Sequence, residues 1–119
     1  MNTETIGASG AGPARGRRLV FFAAVLVSLF VLFLPASGVP SGFPGSDKLV
    51  HVAVFGALAF TGRLAVVPLP GLVAGLAGYA IASEVLQGTL LIGRSAEVLD
   101  VLADGIGIAV GLLLARRWS

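Results

Sequence analysis

The sequence has 119 residues, enough for one domain, of which 56% are hydrophobic and only 12% are charged. A small soluble domain buries only about two-thirds of its surface, so a mean hydropathy of +0.98 predicts lipid as the solvent. This hydropathy excludes an ordinary cytoplasmic enzyme, a nucleic-acid binder and a disordered linker. The eight basic residues also form no basic face that could bind a nucleic acid. The absence of cysteine excludes disulfides and thiolate catalysis.

The chain opens with a polar segment followed by an apolar one. Residues 1–18 are rich in small and polar residues and end in three arginines, which predicts a disordered basic cytoplasmic tail. The uninterrupted apolar stretch from Leu19 to Leu34 covers roughly 24 Å as a helix, and flanking residues extend it toward the thickness of a bilayer core. A cleaved signal peptide is the alternative, with small residues at 36–38 as its cleavage site.

Three further helices are predicted after a connection rich in Pro, Gly and Ser. They run from Asp47 to about Val67, from about Gly71 to Ile92, and from about Val98 to Ala115. The fold class predicted is therefore an all-α membrane protein with four transmembrane helices. Its domain covers residues 19–115, and residues 116–119 form a cytoplasmic C-terminus.

Glycines recur at helical spacing in the last two of these helices. Small residues let helix backbones approach closely in a membrane. We expect helix packing at Gly75, Gly78, Gly107 and Gly111.

Lysine and arginine are unevenly distributed between the two ends of the predicted helices. Six of the eight basic residues fall at one end, and only Lys48 and Arg94 fall at the other. Cytoplasmic ends of membrane helices carry the excess of basic residues. The sequence therefore predicts a multi-pass bundle with both termini in the cytoplasm, located in the cell membrane.

The polar residues of the predicted helices converge on the opposite, outer end. Because a carboxylate facing lipid costs a few kcal/mol or more, these side chains are expected to face the interior of the bundle. They form the predicted binding pocket and are Asp47, Lys48, His51, Glu84, Gln87, Arg94, Asp100 and Asp104.

The spacing of these residues supports a shared interior. Asp47 and His51 are four residues apart, and Glu84 and Gln87 are three apart, so each pair shares a helix face. A polar-to-small stripe with spacings of 4, 3 and 4 is formed by Asp100, Asp104, Gly107 and Gly111.

Three segments at these positions resemble the VanZ-like membrane proteins. They are DKLVHVAVFGAL from Asp47, SEVLQG from Ser83 and GRSAEVLDVLADGIGIAVG from Gly93. The three segments occur in the family's order, and the resemblance covers about residues 19–115. Asp104 stands where the family usually has Asn. The resemblance implies a small multi-pass envelope protein, and the founding member of the family is associated with low-level resistance to teicoplanin.

The chemistry of the pocket is open at the level of sequence. His51 can be a structural partner of Asp47 or of a carboxylate on the fourth helix, a ligand or proton site, or a metal ligand. No metal and no cofactor are predicted, because one histidine with carboxylates is a poor zinc set. Arg94 can bind an anion or neutralise the acidic pocket.

Three function classes follow from this reading. The first is a binder of an amphiphile or envelope component, with a lipid-linked envelope precursor or a lipoglycopeptide as possible partner besides the bilayer and with an effect on antibiotic resistance. The second is a membrane enzyme acting on a lipid-linked substrate, with Glu84, Asp100 or Asp104 as acid or base. The third is a small proton-coupled carrier. No catalytic nucleophile is identified in the sequence.

Overall fold

A computed structural model describes the backbone of residues 3–33, 46–87 and 98–118, and the side chains of residues 14–33, 48–86 and 98–118. Within these ranges the backbone is helical except for the turn at residues 65–68. The four helices are α1 (Thr3–Phe33), α2 (Ser46–Leu64), α3 (Leu69–Gln87) and α4 (Val98–Trp118).

Helix α1 begins much earlier than the sequence indicated. It starts at Thr3, so its backbone is helical through the segment that was expected to be a disordered tail. An apolar helix that is already formed supplies the nucleus from which further turns extend, and the Ala and Arg residues ahead of Leu19 favour helical backbone.

Three of the four helices are long and apolar enough to cross a membrane. These spans are Ala14–Phe33 in α1, Leu69–Leu86 in α3 and Val98–Trp118 in α4. Helix α2 has 19 residues but includes Asp47, Lys48 and Arg63, so its composition is less apolar. Such a composition is tolerated where neighbouring helices, rather than lipid, surround the polar groups.

The helices alternate in direction. Helices α2 and α3 each contact every other helix, whereas α1 and α4 make no mutual contact among the described residues. Near the end of α2, a Cβ added at Gly62 would lie 3.1 Å from the ring of Phe21 and 2.7 Å from Leu72. The N-terminal part of the apolar span of α1, the end of α2 and the start of α3 therefore lie at the same end of the bundle.

The interior contains apolar side chains from all four helices. Leu32, Phe55, Leu58, Leu72 and Ile108 are buried in one cluster. Many large apolar side chains on the outer faces of the helices are exposed, Phe30 and Leu26 by 67% each. An exposed apolar surface of this extent fits contact with lipid.

Helix α2 ends three residues earlier than the sequence indicated. It stops at Leu64, and Val66 adopts a positive φ of 62°, a left-handed conformation that is uncommon for a β-branched residue. The Arg63 guanidinium donates a hydrogen bond of 2.7 Å to the carbonyl of Val67. This bond closes the turn, and α3 begins at Leu69, with Pro70 in its first turn.

The closest backbone approach in the bundle is between α2 and α4. A Cβ added at Gly107 would clash with the carbonyl oxygen of Val52, and one added at Gly111 would clash with the carbonyl oxygen of Gly56. A Cβ at Gly56 would in turn lie 3.3 Å from the carbonyl oxygen of Gly107. These glycines permit a separation between the two helices that no larger residue allows.

Gly75 and Gly78 differ from the expectation for packing glycines. A Cβ at either position meets no atom of the described chain within 4 Å. The buried positions of α3 include Leu72, Leu76 and Ala80, and their helical spacing places Gly75 and Gly78 on another face.

Replacing Gly107 by Ala tests the α2 and α4 contact. We expect Gly107→Ala to lower the free energy of unfolding by about 1–3 kcal/mol, because the added methyl group forces the backbones apart. Gly75→Ala is the matched control and should leave stability unchanged or raise it by up to about 1 kcal/mol. Thermal melting in detergent measures both, and equal melting temperatures for the two variants would contradict this packing.

Candidate functional site

One group of buried polar side chains lies where α2, α3 and α4 meet. His51, Glu84, Asp100 and Asp104 are only 3%, 5%, 4% and 0% exposed. With the half-buried Lys48 they form what we term the polar cluster. Its members come from the start of α2, the end of α3 and the start of α4, so the cluster lies at the end of the bundle opposite the contact between Phe21 and Gly62.

Local sequence determines how the members of the polar cluster face one another. On α4, the buried residues Asp100, Asp104, Gly107 and Gly111 follow one another at intervals of four and three, which places them on one face. The two glycines bring this face against the backbone of α2. The carbonyl of Val52 faces Gly107. His51 precedes Val52 by one residue, and Asp104 precedes Gly107 by three residues. The His51 ring therefore lies beside the carboxylate of Asp104.

The shortest contact in the polar cluster joins His51 to Asp104. The distance from His51 Nδ1 to Asp104 Oδ1 is 2.6 Å, which is a short hydrogen bond between buried groups. The other ring nitrogen, Nε2, lies 3.9 Å from Glu84 Oε1 and 3.8 Å from Asp100 Oδ2. Both of these distances are too long for hydrogen bonds.

Lys48 connects the polar cluster to the edge of the bundle. Its ammonium group donates to Asp100 Oδ1 at 3.2 Å, and its side chain is 30% exposed whereas that of Asp100 is 6% exposed. The long apolar stem of a lysine lets its charge reach a carboxylate below the rim while remaining partly in contact with water.

The polar cluster has more potential negative than positive charge. Three carboxylates face one lysine and one imidazole, and Asp104 Oδ2 is buried without a hydrogen-bond partner among the described residues. Unpaired charge is costly to bury in an apolar interior. The arrangement therefore favours uptake of protons, of a cation, or of a ligand that donates hydrogen bonds.

Two buried serine hydroxyls donate hydrogen bonds to carbonyls of their own helices. Ser83 donates to the carbonyl of Ala80 at 3.0 Å, and Ser28 donates to the carbonyl of Val25 at 2.7 Å. Within the described part of the chain, no serine is hydrogen-bonded to His51. A hydroxyl nucleophile activated by a base is therefore not formed by these residues.

The structure brings together five of the eight residues predicted to form the pocket. These are Lys48, His51, Glu84, Asp100 and Asp104. Asp47 and Gln87 lie in the first turn of α2 and at the last residue of α3, and their side chains are outside the described residues. Arg94 also lies outside the described residues.

One polar contact in the bundle was not predicted from the sequence. The hydroxyls of Ser28 on α1 and Tyr79 on α3 lie 3.0 Å apart, and the Tyr79 ring packs against Phe55 and Phe33. The sequence feature that could have predicted this contact is Ser28, the one polar residue between Leu19 and Leu34. The contact joins α1 to the other helices.

Comparisons with known proteins give no relatives for this chain. No protein-family model, no curated protein and no solved structure matches the chain.

The hydrogen bond between His51 and Asp104 makes a testable prediction about stability. Asp104→Ala leaves the buried imidazole without its partner and should lower the free energy of unfolding by about 3 kcal/mol or more. The double variant His51→Leu/Asp104→Leu removes both polar groups and should lose less stability than the sum of the two single Leu variants. Thermal melting in detergent measures each variant, and additive losses would show that the two residues do not interact.

Proposed function

We propose that this chain is a VanZ-like multi-pass protein of the bacterial cell membrane whose polar cluster binds the polar head of an amphiphile of the cell envelope. The observation that carries the proposal is a buried, predominantly acidic cluster at one end of an apolar helical bundle. At such a position the polar cluster can bind the polar head of an amphiphile while the apolar tail lies along the exposed apolar faces of the helices. The sequence resemblance to the VanZ-like proteins adds the location in the cell envelope.

The proposal includes four transmembrane helices with both termini in the cytoplasm. Helix α2 then crosses the membrane as the helix most enclosed by its neighbours, which compensates for its lower apolar content. The alternating helix directions agree with this topology, because the end of the bundle near Phe21 is also the end near Arg18 and Arg63. The excess of basic residues assigns that end to the cytoplasm, and the polar cluster then lies toward the outer leaflet.

Single cysteines test this topology in a chain that has none of its own. Cysteines introduced at Ser41 and Ser95 should react with an impermeant thiol reagent on intact cells, because the proposed topology places both positions outside. A cysteine at Ser119 should react only after the cells are permeabilised. Labelling at Ser119 on intact cells would rule out the proposed orientation.

A lipoglycopeptide is the amphiphile that the family resemblance favours. Teicoplanin has an acyl chain and vancomycin has none. A polar pocket with apolar walls at the outer leaflet can therefore change how teicoplanin, or the lipid-linked target that it recognises, is anchored in the membrane. Such an effect requires no enzymatic change of the cell wall.

Drug susceptibility tests the binding function. Expression in a sensitive Gram-positive host should raise tolerance to teicoplanin more than to vancomycin, and Asp100→Ala and Arg94→Ala should remove the difference. Protein abundance in the membrane is measured in parallel, and Gly75→Ala is a control that leaves the polar cluster intact. Equal shifts for both drugs, or no shift at normal abundance, would contradict the proposal.

A membrane enzyme acting on a lipid-linked substrate is the second candidate function. The hydrogen bond from the His51 ring to Asp104 favours it, because a carboxylate that orients an imidazole is a recurring arrangement in general-base catalysis. Turnover of a lipid-linked precursor by the purified protein, abolished by His51→Gln, would favour this candidate over a binding protein.

A further inference from the structure

Three potential metal ligands from three different helices meet in the polar cluster. They are His51 on α2, Glu84 on α3 and Asp100 on α4, all buried, and their ligand atoms lie within 4.8 Å of one another. We infer that His51 Nε2, Glu84 and Asp100 bind a divalent transition-metal ion, and Zn²⁺ is the ion used to test it. The inference goes beyond the proposed function, because metal binding requires no amphiphile.

The orientation of the His51 ring is the first argument for a metal site. Histidines that bind metals commonly donate the other ring N–H to a carboxylate, which fixes the tautomer and directs the free nitrogen at the ion. His51 has this arrangement, with Nδ1 bonded to Asp104 Oδ1 at 2.6 Å. Asp104 is thus a positioning residue, and Nε2 has its lone pair available.

The surroundings of Nε2 are the second argument. The His51 side chain is 4% exposed, and Nε2 forms no hydrogen bond within the described chain. It is directed between Glu84 and Asp100, with carboxylate oxygens at 3.9 and 3.8 Å. Tetrahedral bonds of about 2.1 Å separate neighbouring ligand atoms by roughly 3.4 Å, so small side-chain rotations bring the three groups onto one ion.

Charge is the third argument. Glu84 and Asp100 together balance a divalent cation, Asp104 is paired with the imidazole, and Lys48 contacts the second oxygen of Asp100. Carboxylate ligands whose charge matches that of the ion lower the cost of burying the ion in an apolar interior. Three protein ligands leave a fourth position for water or for a polar ligand group.

The ligand types select the ion. Mg²⁺ and Ca²⁺ prefer oxygen ligands, whereas an imidazole nitrogen favours Zn²⁺ and its transition-metal neighbours. The sequence did not indicate such a site, because the three ligands are far apart along the chain and only one of them is a histidine. The set is formed by the packing of α2, α3 and α4.

Metal binding is tested on the full chain in detergent, purified without a polyhistidine tag and stripped with a chelator. Titration with ZnCl₂ against a fluorescent zinc indicator should give one tightly bound ion per chain, and Mg²⁺ at the same concentration should not compete. Co²⁺ in place of Zn²⁺ should produce visible d–d absorption with the intensity of a site of low coordination number. A wild-type chain that takes up no Zn²⁺ and shows no such absorption would overturn the inference.

Four substitutions locate the ion. His51→Ala, Glu84→Gln and Asp100→Asn should each abolish binding, and Asp104→Asn should weaken it by about 10–100-fold. Ser83→Ala is the matched control, because Ser83 is buried beside Glu84 and, among the described residues, donates its hydrogen bond to the carbonyl of Ala80 in its own helix. Full zinc affinity in the three ligand variants would place the ion elsewhere and overturn the inference, whereas loss confined to the predicted residues supports it. Because the wild-type titration uses no amphiphile, its result is independent of the drug-susceptibility experiment.

Discussion

Close contact between the backbones of α2 and α4 is the constraint on which the rest of the bundle depends. Gly56, Gly107 and Gly111 allow it, since a side chain at Gly107 or Gly111 would collide with carbonyl oxygens of the facing helix. This separation brings the imidazole of His51 onto Asp104. Without it, the buried imidazole of His51 and the carboxylate of Asp104 would lose this hydrogen bond in an apolar interior, at a cost of several kcal/mol.

The same contact explains how a helix with three charged residues is accommodated in an apolar bundle. Helix α2 places His51 toward α3 and α4, and Lys48 extends toward the rim, where its ammonium group meets Asp100. Further along, Phe55 and Leu58 join the apolar core. The buried polar side chains are thus concentrated at one end of the bundle, and apolar packing follows them along α2.

Helical periodicity predicted much of this arrangement. The spacing of Asp100, Asp104, Gly107 and Gly111 placed them on one face of α4, and all four are buried. It could not reveal which helices are neighbours, so the partner of His51 remained open and the contact of Ser28 with Tyr79 was missed. Gly75 and Gly78 were predicted to pack against another helix, but no described atom lies within 4 Å of a Cβ at either position. Small residues permit close packing, but a neighbouring helix must face them for it to occur. The sequence analysis did not predict helical backbone ahead of Leu19, because the glycines in that segment disfavour a helix. It did not consider that the apolar helix which follows can extend toward the N-terminus.

The central claim is that the buried imidazole of His51 is held by Asp104. Because His51 is the only histidine in the chain, a protein labelled with ¹⁵N at histidine and ¹³C at aspartate carboxyls reports on this contact in lipid bilayers by solid-state NMR. The account predicts strong dipolar coupling between His51 Nδ1 and one aspartate carboxyl carbon, abolished by Asp104→Asn in protein labelled in the same way. An imidazole with no carboxyl carbon within hydrogen-bonding range of Nδ1, or a coupling unchanged in the Asp104→Asn variant, would contradict it.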